Sequence, residues 1–191
     1  KEIFYLEDLI SDFRIQEVQK AGAIFDLAKL DWINNNHLAD LSLEDFKIKL
    51  SPFLKSVGIE LASKVNSDAI VAAMRSSKPT LKGVADDLVP YFLSVSGYDE
   101  KAAKKFLVGS ESVLEFVQRK LNTLEVWNEQ SIDEALEAAQ TTLSLPTPKL
   151  NQPIRIAMTG STQSPSLGLT LSLFEPEEVS ARIDAALKYL A

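Results

Sequence analysis

The chain has 191 residues, of which 46% are hydrophobic and 25% are charged, and its formal net charge is −7 with a sequence pI near 4.8. These values are ordinary for a globular protein that buries a core. The absence of cysteine excludes a disulfide framework, a thiol nucleophile and a zinc–cysteine site, and no apolar run approaches the roughly 20 residues of a membrane-spanning helix.

Residues 1–13 carry acidic side chains among the apolar ones, which is unlike the basic and then apolar pattern of a signal peptide. Together with the lack of cysteine, this pattern favours a cytoplasmic protein that does not associate with membranes. The chain begins at Lys1 rather than at a methionine, so we expect it to be a fragment of a longer protein.

Apolar residues recur with helical spacing along almost the whole chain. The pattern predicts helices, in chain order, over residues 6–13, 25–38, 42–57, 66–76, 80–95, 99–107, 110–123, 131–145, a segment ending at 159–160, and 175–190. The residues expected to cap, break or kink these helices are Asp26, Gly58, Pro52, Pro90 and the capping box of Ser131 and Glu134. Helix 25–38 places Leu27, Leu30, Ile33 and Leu38 on one face.

The remaining segments do not indicate a sheet. Residues 168–174 alternate between apolar and polar types, but no partner strand is evident, so a short helix is expected there. Residues 145–148 (LPTP) read as a stiff linker. We therefore predict an all-α fold of two consecutive helical bundles, which meet near residues 94–97 and pack as one elongated body.

No assembled catalytic site is apparent. His37 is the only histidine, and without a second histidine or a cysteine it does not indicate a metal site. The acid pairs at 86–87 and 177–178 are neighbours on helices, where adjacent side chains point apart. Trp32 and Trp127 are expected to anchor helices. These observations exclude a recognisable enzyme centre and favour a binding module.

The distribution of charge is uneven. A net negative charge argues against nucleic acid, since phosphates attract basic surfaces. However, residues 138–174 contain no Asp or Glu and retain Lys149 and Arg155. Such a window either approaches a polyanion without repulsion or is a buried or loop segment that happens to lack acids.

Three stretches together resemble a known family. They are IFDLAKLDWINNNHL (24–38), AMRSSKPTLKGVADDLVPYF (73–92) and PIRIAMTGSTQSPSLGLTLSLF (153–174). In this order and spacing they are similar to the C-terminal anticodon-binding region of bacterial-type glutamyl-tRNA synthetases, which are class I aminoacyl-tRNA synthetases. His37 replaces the tyrosine that is usual in the first stretch. The resemblance covers essentially the whole chain.

The resemblance implies an organisation for the chain. Residues 1–41 would be the end of the linking and stem-contact region, and 42–95 and 96–191 the two anticodon-binding subdomains of an α-helix cage. The family's catalytic half attaches glutamate to tRNA(Glu) with ATP and Mg²⁺, and its signature sequences are absent here. No cofactor is therefore expected in this chain.

The resemblance also implies a site. Arg155, Ser164 and Leu167 lie at positions that contact anticodon bases. The other part of the anticodon-binding site would lie near Arg75 to Lys78. Some family members carry an arginine that inspects the first anticodon base, and this position falls on Ser77. A reading without the resemblance is that Arg155 pairs with a helix carboxylate beside a simple turn.

Further contacts and partners follow from the same resemblance. The candidates for phosphate contacts are Lys29, Lys78, Lys82 and Lys149, each of which is equally compatible with a solvated surface position. The expected partners are the anticodon loop of tRNA(Glu) and the N-terminal catalytic domain of the same protein, in a monomer. The rival interpretation is an acidic helical domain that binds proteins and not RNA.

Overall fold

A computed structural model describes residues 2–18, 22 and 24–191, and the regular secondary structure of these residues is entirely helical. The helices are α1 (Leu6–Asp12), α2 (Leu27–Ala39), α3 (Leu43–Ser56), α4 (Ser67–Met74), α5 (Leu81–Phe92), α6 (Glu100–Ala102), α7 (Glu111–Leu121), α8 (Glu129–Leu143), α9 (Thr147–Thr159), α10 (Leu167–Ser172) and α11 (Pro176–Leu190). Helix α6 continues into a π-helical turn, Ala103–Leu107. None of the described residues forms a strand, so the predicted all-α fold class is confirmed. No helix among them is both long and apolar enough to cross a membrane.

Local signals set most helix ends as expected. The Asp26 side chain accepts a hydrogen bond from the Lys29 backbone at 3.1 Å and caps α2. At the end of α3, Gly58 has a left-handed φ of 78°. The backbone of Gly58 donates to Lys55 at 3.2 Å and that of Ile59 donates to Leu54 at 2.9 Å, which is the double bond pattern of a Schellman motif.

The expected linker at LPTP was a wrong prediction, and the expected break at Pro52 is absent. Helix α3 runs continuously through Pro52, where a kink stays a prediction. The missing N–H leaves the carbonyl of Ile48 unpaired, but Ile48 is exposed, so water can satisfy that oxygen. The LPTP segment is not a linker, because Pro146 is the N-cap of α9 and Pro148 lies in its first turn, where a missing N–H is harmless.

The start of α8 also differs from the prediction. Asn128 is the N-cap, and its side chain accepts from the Ser131 backbone at 2.9 Å. Ser131 therefore lies inside the first turn, and its hydroxyl donates to the Val126 carbonyl at 2.7 Å. Asn128 has an equally good capping side chain three residues earlier, so the longer helix forms.

The two halves of the chain share one core. The Tyr91 ring of α5 stacks on Phe174, with centroids 5.3 Å apart and planes 12° from parallel. Arg182 of α11 is buried and donates to the carbonyls of Met158 at 2.5 Å and Leu93 at 3.2 Å. Glu178 accepts from Arg182 at 2.8 Å and from Lys64 at 2.6 Å. These contacts cross the expected subdomain boundary near 94–97, whose position stays a prediction.

A tight junction joins α9 to the connection between the halves. Gly160 ends α9 with a left-handed φ of 74°. Its carbonyl accepts from the Asp99 backbone at 3.0 Å, and a β-carbon at this position would lie 2.9 Å from the Gly97 carbonyl oxygen. Only glycine satisfies both the conformation and the spacing.

The N-terminal segment is much less buried than the rest. In α2, Leu38 is 6% exposed, whereas Leu27 is 68% and Leu30 is 46% exposed, so most of the predicted apolar face is not covered. The segment is attached at its end, where Asn34 donates to the Pro79 carbonyl at 2.5 Å. Other apolar residues there are also open to solvent, and we call the set the N-terminal apolar residues: Tyr5, Leu6, Leu9, Ile10, Phe13, Ile15, Val18, Ile24, Phe25, Leu27, Leu30 and Trp32.

Candidate nucleic-acid interface

A cleft of about 460 Å³ lies between the turn after α4, helix α5 and the turn after α9. Residues 76–78 form one rim and residues 161 and 163–165 form the other, with Pro90 and Tyr91 between them. The cleft therefore brings together Ser77, Lys78 and Ser164, three predicted site residues that are distant in sequence. We call the loop of residues 161–166 the recognition loop.

Lys78 connects the two rims. Its Nζ atom lies 3.4 Å from Oε1 of Gln163, which belongs to the recognition loop, and 3.7 Å from Oδ2 of Asp87 on α5. Both distances are long for a strong bond, and the lysine head remains partly exposed. Lys78 can therefore turn toward an incoming phosphate or base more easily than a fully paired lysine.

Arg155 supports the recognition loop from inside. Its Nη1 atom donates to the Ser164 carbonyl at 2.9 Å, to the Pro165 carbonyl at 2.6 Å, and to the Ser164 hydroxyl. Burial lowers the pKa of Arg155, although an arginine remains charged at neutral pH. Among the residues that the structure describes, no helix carboxylate pairs with Arg155, so the simple ion-pair reading of this residue does not apply there. In the free chain its interactions are with the loop.

Leu167 is nearly buried in the free chain. The family resemblance places it among the residues that contact anticodon bases, which stays a prediction, and here Leu167 is only 4% exposed and opens helix α10 as a member of the core. The reason is that Ser166 caps α10 by accepting from the Leu169 backbone at 3.3 Å. The chain turns inward at Leu167, and the loop residues that line the cleft are Ser161, Gln163, Ser164 and Pro165.

Arg75 is engaged with the C-terminal end of helix α2. Its Nη2 atom lies 2.9 Å from each of the carbonyls of Leu38, Ala39 and Leu41, at the C-terminal end of α2. Its guanidinium also lies over the Phe46 ring at 5.4 Å. A positive charge is favourable at this end of a helix, because it can bond to the last backbone carbonyls, which lack partners within the helix, and because it faces the negative end of the helix dipole. This arrangement places Arg75 beside the cleft without lining it.

Ser77 is exposed and belongs to two recesses. It lines the main cleft and also a smaller recess of about 180 Å³ that includes Trp32 and Asn35. Trp32 is 46% exposed, so it is not the buried anchor that the sequence indicated. By contrast, Trp127 is an anchor, since its indole nitrogen donates to the Phe174 carbonyl at 2.8 Å.

The other candidate lysines are dispersed. Lys29 pairs with Glu2 at 3.3 Å, and Lys82 pairs with Asp86 at 2.6 Å. Lys149 lies in a separate groove beside Phe106 and Leu145. Of the four lysines proposed for phosphate contacts, only Lys78 lines the cleft.

The segment without Asp or Glu, residues 138–174, lies partly in the core and partly at the surface. Its helix α9 is largely buried, with Ile154, Ile156 and Met158 in the core, so the lack of acids there reflects packing. Its recognition loop is partly exposed and contributes no acid to the cleft. The carboxylates that do line the cleft, Asp86 and Asp87, lie on α5 and have Lys82 and Lys78 as partners.

Gln163 and Tyr91 are two of the cleft residues that were not singled out from the sequence. Gln163 meets Lys78, and Tyr91 forms part of the cleft wall. Tyr91 lies within the second family-like stretch, and a phenol at a core position of a helix was the available signal. Among the described residues, no group of three or more His, Asp or Glu side chains is placed to hold a metal ion.

The chain is similar in sequence to known glutamate–tRNA ligases. The chain is 31% identical over 191 residues to glutamate–tRNA ligase 2 of Halorhodospira halophila and 33% identical over 188 residues to a glutamate–tRNA ligase of Xanthomonas campestris. These alignments cover 100% and 98% of this chain, which spans about 40% of the length of each relative. The matched part is their C-terminal region.

Solved structures show the same fold. A glutamate–tRNA ligase from Elizabethkingia meningosepticum superposes with a TM-score of 0.85 at 24% identity, over 100% of this chain and 38% of that one. A glutamate–tRNA synthetase from Elizabethkingia anophelis gives a TM-score of 0.81, also at 24% identity, over 98% of this chain and 37% of that one. A family model described as an anticodon binding domain matches residues 45–187. The chain therefore belongs to the family of anticodon-binding domains.

Proposed function

We propose that this chain reads the anticodon loop of tRNA(Glu) as the C-terminal part of a glutamate–tRNA ligase. The observation that carries the proposal is the cleft itself, where the rim at residues 76–78 meets the recognition loop. The family resemblance assigns both segments to anticodon contact, and the fold brings them within one recess. The glutamate–tRNA ligase relatives support the identity of the tRNA.

The chemistry of the cleft suits an unpaired nucleotide. RNA sequence is read mainly in single-stranded loops, whose bases can leave the stack and expose their edges. The cleft offers hydroxyls from Ser77 and Ser164, an amide from Gln163 and a cation from Lys78. Its volume of about 460 Å³ lies in the range of small-molecule sites. Base readout by short polar groups does not need a basic surface, which reconciles the site with the net charge of −7.

The anticodon base read near Ser77 needs a correction. Glutamate and glutamine codons differ only at their first base, and this base pairs with the third base of the anticodon. An arginine that separates the two tRNAs must therefore inspect the third base and not the first. With Ser77 at this position, a hydroxyl replaces a guanidinium, and we propose weaker selection against glutamine tRNA than an arginine would give.

The rest of the ligase accounts for the exposed N-terminal apolar residues. Large apolar patches on a protein surface usually mark an interface, and the chain spans about 40% of its ligase relatives. We propose that these residues pack against the catalytic part, which would bind ATP and Mg²⁺ and attach glutamate to the tRNA. The proposal includes a monomeric state and a cytoplasmic location.

A competition experiment tests the proposal. The 191-residue chain is titrated with a labelled tRNA(Glu) transcript, and unlabelled anticodon stem-loop or acceptor-stem RNA is added as competitor, at two salt concentrations. We expect the anticodon stem-loop to compete and the acceptor stem not to compete. Transcripts with changed anticodon bases should bind about tenfold or more weakly at either salt concentration, because base contacts, unlike phosphate contacts, depend on sequence. Equal affinity for all anticodons would refute the proposal.

A further inference from the structure

The wall of the cleft contains a buried hydroxyl group that the free chain does not use. Tyr91 is 1% exposed, and its ring is fixed against Phe174. Its hydroxyl oxygen is buried and has no hydrogen-bond partner. Buried side-chain hydroxyls nearly always have a partner, so an unpaired one at a candidate binding site calls for an explanation.

The polar groups nearest to Tyr91 are committed to other partners. Burial raises the pKa of Tyr91, while hydrogen-bond-like contacts with Thr170, the charge of Arg155 and a similar contact with Ser164 lower it, so these groups lie close to the phenol. Neither hydroxyl contact reaches the distance and angle of a hydrogen bond, so the Tyr91 hydroxyl has no full partner among the described residues. Yet the hydroxyls of Ser164 and Thr170 lie 2.9 Å from each other, and Ser164 also accepts from Arg155. The hydrogen bonds of both hydroxyls are therefore to each other and to the loop, and none of them is to the Tyr91 hydroxyl.

Arg155 holds a second unused donor at the same place. Its Nη1 atom supports the recognition loop, whereas its Nε atom is buried without a partner. A phenol O–H and a guanidinium N–H are therefore both unpaired around Ser164. Two donors fit a ligand edge that presents acceptors, and the carbonyl oxygens of pyrimidine bases are acceptors of this kind.

We infer that Tyr91 is a specificity-determining residue of the cleft, whose hydroxyl donates a hydrogen bond to a carbonyl oxygen of a pyrimidine base in the bound anticodon loop. The inference rests on the proposed function, because the base belongs to the tRNA. Since Tyr91 is almost completely covered, the half-buried Ser164 side chain rotates aside to let the base reach the hydroxyl, while the bonds from Arg155 to the carbonyls of Ser164 and Pro165 keep the backbone of the recognition loop in place. The hydroxyl then gains in the complex the bond that it lacks in the free chain.

The substitution Tyr91→Phe separates this role from a structural one. It removes the hydroxyl and keeps the ring that packs on Phe174. Because the free chain loses no hydrogen bond, the urea midpoint of unfolding should stay the same or rise. The affinity for native tRNA(Glu) transcript should fall about five- to tenfold, the effect of one hydrogen bond. The affinity for transcripts with changed anticodon bases should not change.

Tyr98→Phe is the matched control. Tyr98 is half-buried against Tyr189, with ring centroids 4.9 Å apart, and lies outside the cleft. This variant should bind every transcript as the parent chain does. If the parent chain distinguishes anticodons but Tyr91→Phe binds native tRNA equally well, the inference is overturned while the proposed function stands. A lower urea midpoint for Tyr91→Phe would also overturn it, because the hydroxyl would then have a partner in the free chain. If the parent chain itself does not distinguish anticodons, the proposed function fails and the inference fails with it.

Discussion

Arg155 and Ser164 are joined by hydrogen bonds from one guanidinium nitrogen to both the carbonyl, at 2.9 Å, and the hydroxyl of the serine. The recognition loop therefore has its shape before any RNA arrives. Arg155 does not line the cleft, and it affects the candidate site through its hydrogen bonds to the recognition loop. This relationship changes what a substitution at Arg155 should do.

Arg155→Ala should affect both stability and binding. The carbonyls of Ser164 and Pro165 lose a charged donor, and we expect the free energy of unfolding to fall by about 1–3 kcal/mol in urea titrations. Binding of native tRNA(Glu) should weaken by about 1–3 kcal/mol, with unchanged helical circular dichroism. Arg155→Lys keeps the charge without the planar fork and should give intermediate values. A loss of stability without any loss of affinity would limit Arg155 to a structural role.

Ser77→Arg should sharpen the choice between tRNAs. Ser77 is exposed at the rim of the cleft, so a guanidinium can be accommodated there without disturbing the core. We expect the ratio of affinities for glutamate and glutamine tRNA transcripts to rise by about tenfold, the value of one good base contact. Ser112→Arg, at an exposed position outside the cleft, adds the same charge as a control. An equal rise in both variants would show a general effect of charge.

Arg75→Ala should loosen α2 more than it weakens anticodon readout. Its guanidinium joins three carbonyls at the end of α2 to the body of the chain. Loss of this cap should lower hydrogen-exchange protection of residues 27–39 by about 1–3 kcal/mol. Arg119→Ala, on the exposed face of α7, serves as the control. If protection stays constant while discrimination between anticodons is lost, Arg75 contacts the RNA.

Stability should fall in acid because of Glu178. Burial raises the pKa of Glu178, but hydrogen bonds from Lys64 and Arg182 outweigh burial and hold the pKa below its ordinary value of 4.5. A carboxylate with a lowered folded pKa stabilises the fold above its unfolded pKa, and this contribution is lost as the pH falls through the folded pKa.

Glu178→Gln tests this contribution. The variant should be less stable than the parent chain at neutral pH by about 1 kcal/mol, a modest value because the group is partly screened by solvent. The difference should shrink as the pH drops below about 4.5 in urea titrations. Glu175→Gln, at the exposed N-cap of α11, should leave the pH profile unchanged. A constant difference at all pH values would contradict the assignment.

Helix positions were predictable because their signals are local. Asp26, Gly58 and Gly160 each end or begin a helix through bonds to residues within five positions along the chain. Some of the wrong predictions also concern local signals. Asn128 and Ser131 are both good caps, and the sequence does not rank them. Pro52 is tolerated because the carbonyl it leaves unpaired belongs to an exposed residue, and exposure depends on the tertiary structure.

The sequence predicted where several site residues lie, but not the directions in which their side chains point. Ser77, Lys78 and Ser164 do meet in one cleft. However, the direction of the Arg155 guanidinium depends on how the chain folds back after α9, and burial of Leu167 depends on the start of α10. Arg75 turns toward α2 because carbonyls of that helix lie within reach. These facts require the positions of elements that are distant in sequence.

The junction at Gly160 has a mechanical consequence for the cleft. The recognition loop starts at the residue after Gly160, and Gly160 is bonded to Asp99 and pressed against Gly97 in the connection between the two halves. Because the two halves share one core, this junction anchors the first residue of the recognition loop to the body of the domain. An adjustment of the loop to a bound base is therefore confined to the residues beyond this anchor, around Ser164 and Pro165.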